Sequence, residues 1–263
     1  MDHATLLRLT AFLGLFALFA LAEAWLPRRR RVTGRWHRWG TNWTISILDA
    51  GLLRGMALVL PLLSVGAAMD AEAQGWGLFN LTTWPGWIEG LLAFLALDLA
   101  IWAQHWATHK VPLLWRLHRV HHADRDMDVT TAIRFHPLEI GLSMLWKIAL
   151  IYALGAPALA VVLFEIALNG CAMFNHANIA LPGRADRWLR RVLVTPDMHR
   201  VHHSTEQAEH DTNFGFTLSL WDRVFRTYTP QPGRGHEGMT LGLEWQDDRP
   251  ARLWWSLRLP FRK

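Results

Sequence analysis

Cysteine is all but missing from this chain. Cys171 is the only one in 263 residues, so neither an intrachain disulfide nor a thiolate-rich zinc site can form. Charge is scarce as well, at 19% of residues against the roughly 25% usual in soluble domains, while 51% are apolar. That balance excludes a disordered or collagen-like chain. Tyrosine is rare, with 2 against 16 Trp. A pI near 10.1 would suit nucleic acid, but the tryptophans and the long charge-poor stretches point to lipid instead. What the chain has in excess is histidine, 14 in all and most of them clustered.

Residues 5–26 carry only Arg8 and Glu23 as charges, and Arg28 to Arg31 follow at once. Twenty-two residues at ~1.5 Å each span a ~30 Å hydrocarbon core. Ala22-Glu-Ala24 resembles a signal-peptide cleavage site, yet a signal peptide carries its positive charge before the apolar run and here the charge follows it. A second apolar run, 44–68, is interrupted by Asp49, Arg54 and Pro61; a third covers 87–105; Pro137 to Leu154 and Pro157 to Phe174 form a hairpin hinged at Gly155-Ala-Pro157. The connection 69–86 contains no Lys or Arg, 106–135 contains five and 175–263 thirteen. The positive-inside rule therefore puts 69–86 outside and the two basic segments in the cytoplasm. The expectation is an all-α integral-membrane helical bundle of about four to five spans plus interfacial helices, with a cytoplasmic helical cap, in a bacterial inner membrane. Lys147 and Glu165 lie at matching depths in the hairpin and are expected to pair. Trp36, Trp39 and Trp43, and the tail Ala251 to Lys263, read as interfacial. The division expected is 1–86 for the first spans and external loop, 87–230 for the histidine-box domain and 231–263 for a cytoplasmic loop and interfacial tail.

The histidines fall into three spaced boxes: His105 and His109; His118, His121 and His122; His199, His202 and His203. The last two are near-copies, Leu-His-Arg-Val-His-His against Met-His-Arg-Val-His-His. On a helix, residues i and i+4 share a face while i+3 sits about 60° away, so one box reaches two neighbouring ions. The topology places all three boxes on one side of the membrane. Eight imidazoles exceed the four to six ligands of a single first-row ion, so two metals are the economical reading, and an imidazole-rich site suits iron, zinc, copper or nickel. His176 and His136 end or begin hairpin helices on the same side and are further candidate ligands. Asp98 shares a helical stripe with Trp102, His105 and His109, two turns below His105, and is carried as a candidate catalytic carboxylate. His3, His37, His210 and His236 lack spaced partners and read as surface residues.

With these residues in hand, the chain resembles the fatty acid hydroxylase/sterol desaturase superfamily over about residues 90–230. The resemblance rests on the three boxes, on Phe135-His-Pro-Leu-Glu139, on Asp211-Thr-Asn-Phe-Gly215 and on Trp221-Asp-Arg-Val-Phe225. Asp126 to Arg134 also looks like the segment after the second box in alkylglycerol monooxygenases. The resemblance implies that the box histidines hold a non-haem diiron centre, with zinc as a possible substitute, that Asn213 is a polar group near a metal, and that O2 and a lipid are the substrates. Hydroxylation and desaturation share the first hydrogen abstraction, and spacing does not choose between them.

No Gly-x-Gly-x-x-Gly, four-cysteine or His-Pro-Gly-Gly motif is found, so a separate electron donor, a ferredoxin or similar reductase, is expected to dock on the Arg-rich cap. A zinc-dependent membrane hydrolase is the rival enzyme, though its His-Glu-x-x-His helix is missing. Metal or haem transport, or electron carriage, would put ligands within the spans, whereas these cluster at one end. Nucleic acid is not an expected partner, because the basic residues follow membrane topology.

Overall fold

The computed structural model describes residues 3–59 and 63–262, with side chains from 6–58 and 63–262. Among these residues all the regular structure is helical, with only isolated bridges and no strand. The long helices are α1 (His3–Trp25), α2 (Arg35–Val59), α4 (Gly86–Lys110), α6 (Pro137–Leu154) and α7 (Ala158–His176), with α3 (Ser64–Gln74) and α5 (Pro112–His122) between them. Six short helices follow: α8 (Gly183–Leu189), α9 (Pro196–His202), α10 (Gln207–His210), α11 (Leu220–Val224), α12 (Gly235–Gly238) and α13 (Leu253–Arg258). Proline and glycine set several of these boundaries. Pro112 and Pro137 occupy the first turns of α5 and α6, where a missing N–H costs nothing. Gly155 ends α6 with φ 63°, the left-handed conformation a glycine adopts without strain.

Four helices, α1, α4, α6 and α7, are long and apolar enough to cross a membrane. The second apolar run does not form one helix. It is divided between α2 and α3, and Pro61, with residues 60 and 62, lies outside the described residues. α2 runs from one end of the bundle to the other, since it starts beside Asp124 and Asp128 through Arg38 while α3 packs at the far end. There Tyr152 donates to Asp70 at 2.7 Å and Leu78 N to Ala153 O at 3.1 Å. The α6–α7 hinge and the α3–α4 connection thus share one end of the bundle.

The centre of the bundle is α7, against which α1, α3 and α4 pack, with Leu97, Ile101, Ile151, Val161 and Phe164 in the core. Lys147 lies 2.9 Å from Glu165 as the spacing anticipated. Two further groups join them: Arg8 at 2.7 Å and the Ser64 hydroxyl at 2.6 Å. Both Glu165 oxygens are therefore engaged, as a carboxylate inside a bilayer requires.

At the opposite end the chain forms a polar cap. Arg28 N donates to Asn178 O at 3.0 Å, tying the end of α1 to the end of α7. Glu23 accepts from Val129 N at 2.6 Å and Asn178 N at 2.8 Å. Arg134 is fully buried and spends its guanidinium on Val120 O, Asn42 Oδ1, Pro250 O and Ser256 Oγ. The tail is more than interfacial. Trp255 and Leu259 are buried against Val120 of α5 and Ala123 just after it, and of the tail's large apolar side chains Trp254 and Phe261 remain exposed; Lys263 lies outside the described residues. Of the early tryptophans, Trp36 is exposed, whereas Trp39 and Trp43 pack edge-on to Phe16.

Candidate metal centre

Three elements bring the boxes together. α4 ends in His105 and His109, the proline-started α5 delivers its box at its last two turns, and α9 enters from the cap with Thr195 as its N-cap. Nine imidazoles then form two adjoining groups. His105, His109, His118, His122 and His202 each present a ring nitrogen within 4.8 Å of all the others, and His121, His176, His199 and His203 do the same. The helical arithmetic of the boxes is visible in this division. The i,i+4 pair His118 and His122 serves the first group and His121 the second, while His199 and His203 serve the second and His202 the first. The two near-identical boxes are thus used in opposite senses. His122 and His203 stack at 4.6 Å between centroids, so the groups share a wall.

The back nitrogens define the protons. Nδ1 of His105, His202 and His176 donate to the carbonyls of Phe214 (2.6 Å), Thr212 (2.7 Å) and Ala172 (2.7 Å), and His118 Nδ1 meets Glu139 Oε1 at 2.6 Å. A carbonyl only accepts, so in His105 and His176 the Nε2 bears a lone pair. Yet His105 Nε2 is 3.1 Å from His118 Nε2, and His176 Nε2 is 3.0, 3.1 and 3.2 Å from those of His121, His199 and His203. Lone pairs aimed at one point repel each other unless a cation lies between them. Ligands about 2.1 Å from one ion stand roughly 3.0–3.4 Å apart, the spacing found between His105 and His118 in the first group and between His176 and its three partners in the second. Buried ring nitrogens of His109, His122 and His202 in the first group have no protein partner. The donor set fits a first-row transition metal in each group.

Electrostatics favours the ligand form. Burial pushes His118 down to about 3 and holds His121, His122, His199, His202 and His203 well below the ordinary imidazole value. All are neutral near pH 7. Phe135 stacks on His121 at 4.3 Å, while Phe214 and Phe216 lie edge-on or tilted against His105, closing the centre to water.

Three sequence candidates stand elsewhere. His136 caps α6: its Nδ1 accepts from Leu138 N and its Nε2 donates to Leu257 O, both at 3.2 Å, which turns the ring away from the other nine. Asp98 accepts from Trp221 Nε1 at 2.9 Å and Leu218 N at 3.3 Å, so it fastens the cap to α4 instead of facing a metal. Asn213, at φ 54°, spends its amide on Met198 O, Thr229 O and Thr229 N. It shapes the turn that delivers Phe214 O to His105. Asp222 completes that turn, accepting from Phe214 N, Gly215 N and Trp102 Nε1.

Glu139 was the residue missed. It lies in the His-Pro-Leu-Glu segment, three residues after His136, without a spaced histidine partner to mark it. Nor are His210 and His236 surface residues. His210 is half-buried and stacks on Trp115 beside the first group, and His236 is buried 3.6 Å from Asp197.

A fatty acid hydroxylase family model matches residues 90–227, just over half of the chain. Among curated proteins, the chain is 32% identical over 165 residues to an ornithine lipid hydroxylase from Rhizobium tropici, covering 60% of this chain and 47% of that protein. It is 29% identical over 158 residues to the alkylglycerol monooxygenase of Xenopus tropicalis, covering 60% and 33%, and 27% identical over 172 residues to that of Homo sapiens, covering 64% and 36%. The chain thus spans less than half the length of these relatives. No solved structure matches it. The matched region begins in α4 and ends just past α11, taking in all three boxes and the Asp222 turn, and the chain belongs to the fatty acid hydroxylase family.

Proposed function

We propose that the protein is a membrane-bound non-haem diiron oxygenase that uses O2 and externally supplied electrons to hydroxylate, or desaturate, a lipid C–H bond. The observation that carries this reading is the pair of adjoining imidazole groups, five and four strong, at one end of an apolar bundle. The nine histidines are the proposed ligands. The printed names of the relatives, an ornithine lipid hydroxylase and alkylglycerol monooxygenases, support a lipid substrate. So does an apolar groove of about 1120 Å³ between α2, α5, α6 and the tail, lined by Leu52, Met56, Leu114, Leu117 and Leu142 with Arg116 as its one charge. Its wall includes Leu117 and Leu138, the neighbours of His118 and Glu139.

Two irons held there would supply the O2-dependent oxidising chemistry that an unactivated C–H bond demands. The chain contributes the rest. Glu139 and the carbonyls of Phe214, Ala172 and Thr212 keep protons on the back nitrogens, so each ring offers its other nitrogen. Phe135, Phe214 and Phe216 exclude water. Hydroxylation consumes one O2, two electrons and two protons per C–H bond and releases one water; the electrons come from a separate donor docked on the cap. The excess of Lys and Arg at the histidine end supports a cytoplasmic placement in a bacterial inner membrane.

The test is mass spectrometry of total lipids from an aerobic host with and without the protein. A shift of +16 or −2 on one lipid class is expected. It should vanish in His121→Ala and His202→Ala while the protein stays in the membrane. Absence of any shift, or zinc alone in the purified protein with undiminished turnover, would overturn the oxygenase reading.

A further inference from the structure

On the flank of α4, helices α8 and α11 form a ledge whose composition the metal centre does not explain. Leu193 and Leu218 pair as an isolated antiparallel bridge, and Ser219 N donates to Val192 O at 2.9 Å. The end of α8 and the start of α11 therefore lie side by side. α11 is in turn fastened to α4: Trp221 donates to Asp98 at 2.9 Å, Trp102 donates to Asp222 at 3.0 Å, and Phe225 stacks on Trp102 at 4.4 Å and 19°.

These contacts define a depth. Trp102 and Asp98 precede His105 along α4 and lie about 5 Å and 10 Å from it toward the helix centre, at ~1.5 Å per residue. α4 is one of the four helices apolar enough to span. α11 thus lies beside the apolar part of a spanning helix, on the membrane side of the first histidine. Its outward side chains Leu220, Val224 and Phe225 are exposed, as are Trp188 and Val192 on the α8 side. In water such a patch is unfavourable; at this depth it meets acyl chains.

The charges on the same ledge are of one sign. Arg184, Arg187, Arg191, Arg223 and Arg226 are exposed, and none forms a salt bridge among the described residues. The only acids in 184–192 and 220–226 are Asp186 and Asp222, both buried. Asp186 is taken up by Arg190 and the Thr195 hydroxyl, Asp222 by the Phe214 turn. Guanidinium groups interleaved with aromatic and aliphatic side chains at a spanning helix's rim match a layer of phosphates above hydrocarbon. A soluble acidic protein would have to push α11's apolar side chains out of lipid to use the same arginines.

We propose that the α8–α11 ledge is a binding site for anionic phospholipid, with acyl chains against Leu220, Val224 and Phe225 and lipid phosphates on the arginines. The test uses the full chain in nanodiscs of phosphatidylcholine with and without phosphatidylglycerol. Lipid retained on transfer to mild detergent is identified by native mass spectrometry. The wild type should retain phosphatidylglycerol several-fold over phosphatidylcholine. The variant Arg184→Gln/Arg187→Gln/Arg191→Gln/Arg226→Gln should lose that preference, while the corresponding Arg→Lys variant, which keeps the charge, retains it. Equal retention of the two lipids by the wild type would overturn the proposal. So would an undiminished preference in the glutamine variant, which would leave the arginines to an acidic protein partner. Depth is checked separately by a spin label at Val224→Cys in a Cys171→Ala background. Faster relaxation by oxygen than by a water-soluble nickel complex is expected, and the reverse order would sink the placement.

Discussion

His118 has one ring nitrogen among the other imidazoles of its group and the other against Glu139. A carboxylate behind a ligand imidazole fixes the tautomer and raises basicity, an arrangement whose loss weakens metal affinity by about 10- to 100-fold. Glu139→Ala is therefore expected to weaken metal binding by about tenfold or more, read as metal lost to a competing chelator, with Glu139→Gln falling between it and the wild type. An unchanged chelator titration would show that Glu139 does not support His118. The buried imidazoles also dictate a pH profile. His118 stays neutral in the fold down to about 3 while its unfolded value is 6.5, so its contribution to stability is complete above 6.5. It is lost progressively as pH falls from 6.5 toward 3, because only the unfolded chain then takes up the proton. The stability that His118 contributes, measured as the difference in thermal midpoint between the wild type and His118→Phe, should shrink as pH falls below 6.5; a difference that grows on acidification would contradict neutral burial. Residue by residue, the boxes were legible because period 3.6 converts HxxxH and HxxHH into shared faces. His136 and Asn213 were not legible as backbone-engaged residues. Nothing in the order of residues reveals that Leu257 O, Met198 O and Thr229 O would be there to claim them.

At the level of elements, the hairpin turn is held by a close approach of two glycines. Gly77 has φ 95° and Gly155 φ 63°, and a methyl on Gly77 would overlap the backbone of Gly155. Gly77→Ala must displace one connection from the other, and a cost above about 2 kcal/mol is expected from the strain and the overlap together. Gly90→Ala, inside α4 with open space around it, serves as the control and should be neutral or gain up to about 1 kcal/mol. Comparable losses in both variants, read by thermal unfolding in detergent, would refute the close-approach argument. Helix ends were legible where Pro and Gly marked the hairpin, at Pro137 and Gly155, whereas Pro112 at the start of α5 went unread. The second apolar run was not, because hydropathy averages over the break between α2 and α3. Nor did the mixed composition of the tail disclose that Trp255 and Leu259 turn inward onto α5.

For the whole molecule, the prediction concerns sidedness. The α3 end and the cap lie at opposite ends of the bundle, so in a Cys171→Ala background Gln74→Cys and Arg234→Cys, both at exposed positions, should be labelled from opposite sides. In spheroplasts an impermeant maleimide is expected to reach Gln74→Cys directly and Arg234→Cys only after permeabilisation; labelling of both from one side would break the topology. The apolar runs, the Lys and Arg asymmetry and the histidine spacings were by themselves enough to establish a helical membrane protein with its imidazoles gathered at one end. Each of those signals is local, a matter of period, length or count, and local signals survive in one dimension. Which imidazole from one box would meet which from another was settled only by the tertiary structure. So were the entry of His176 into the second group, the placing of Glu139 behind His118, and the lowering of α11 alongside α4. These are contacts between residues up to about 120 positions apart, fixed by helix packing and by backbone groups in turns, and no spacing rule encodes them.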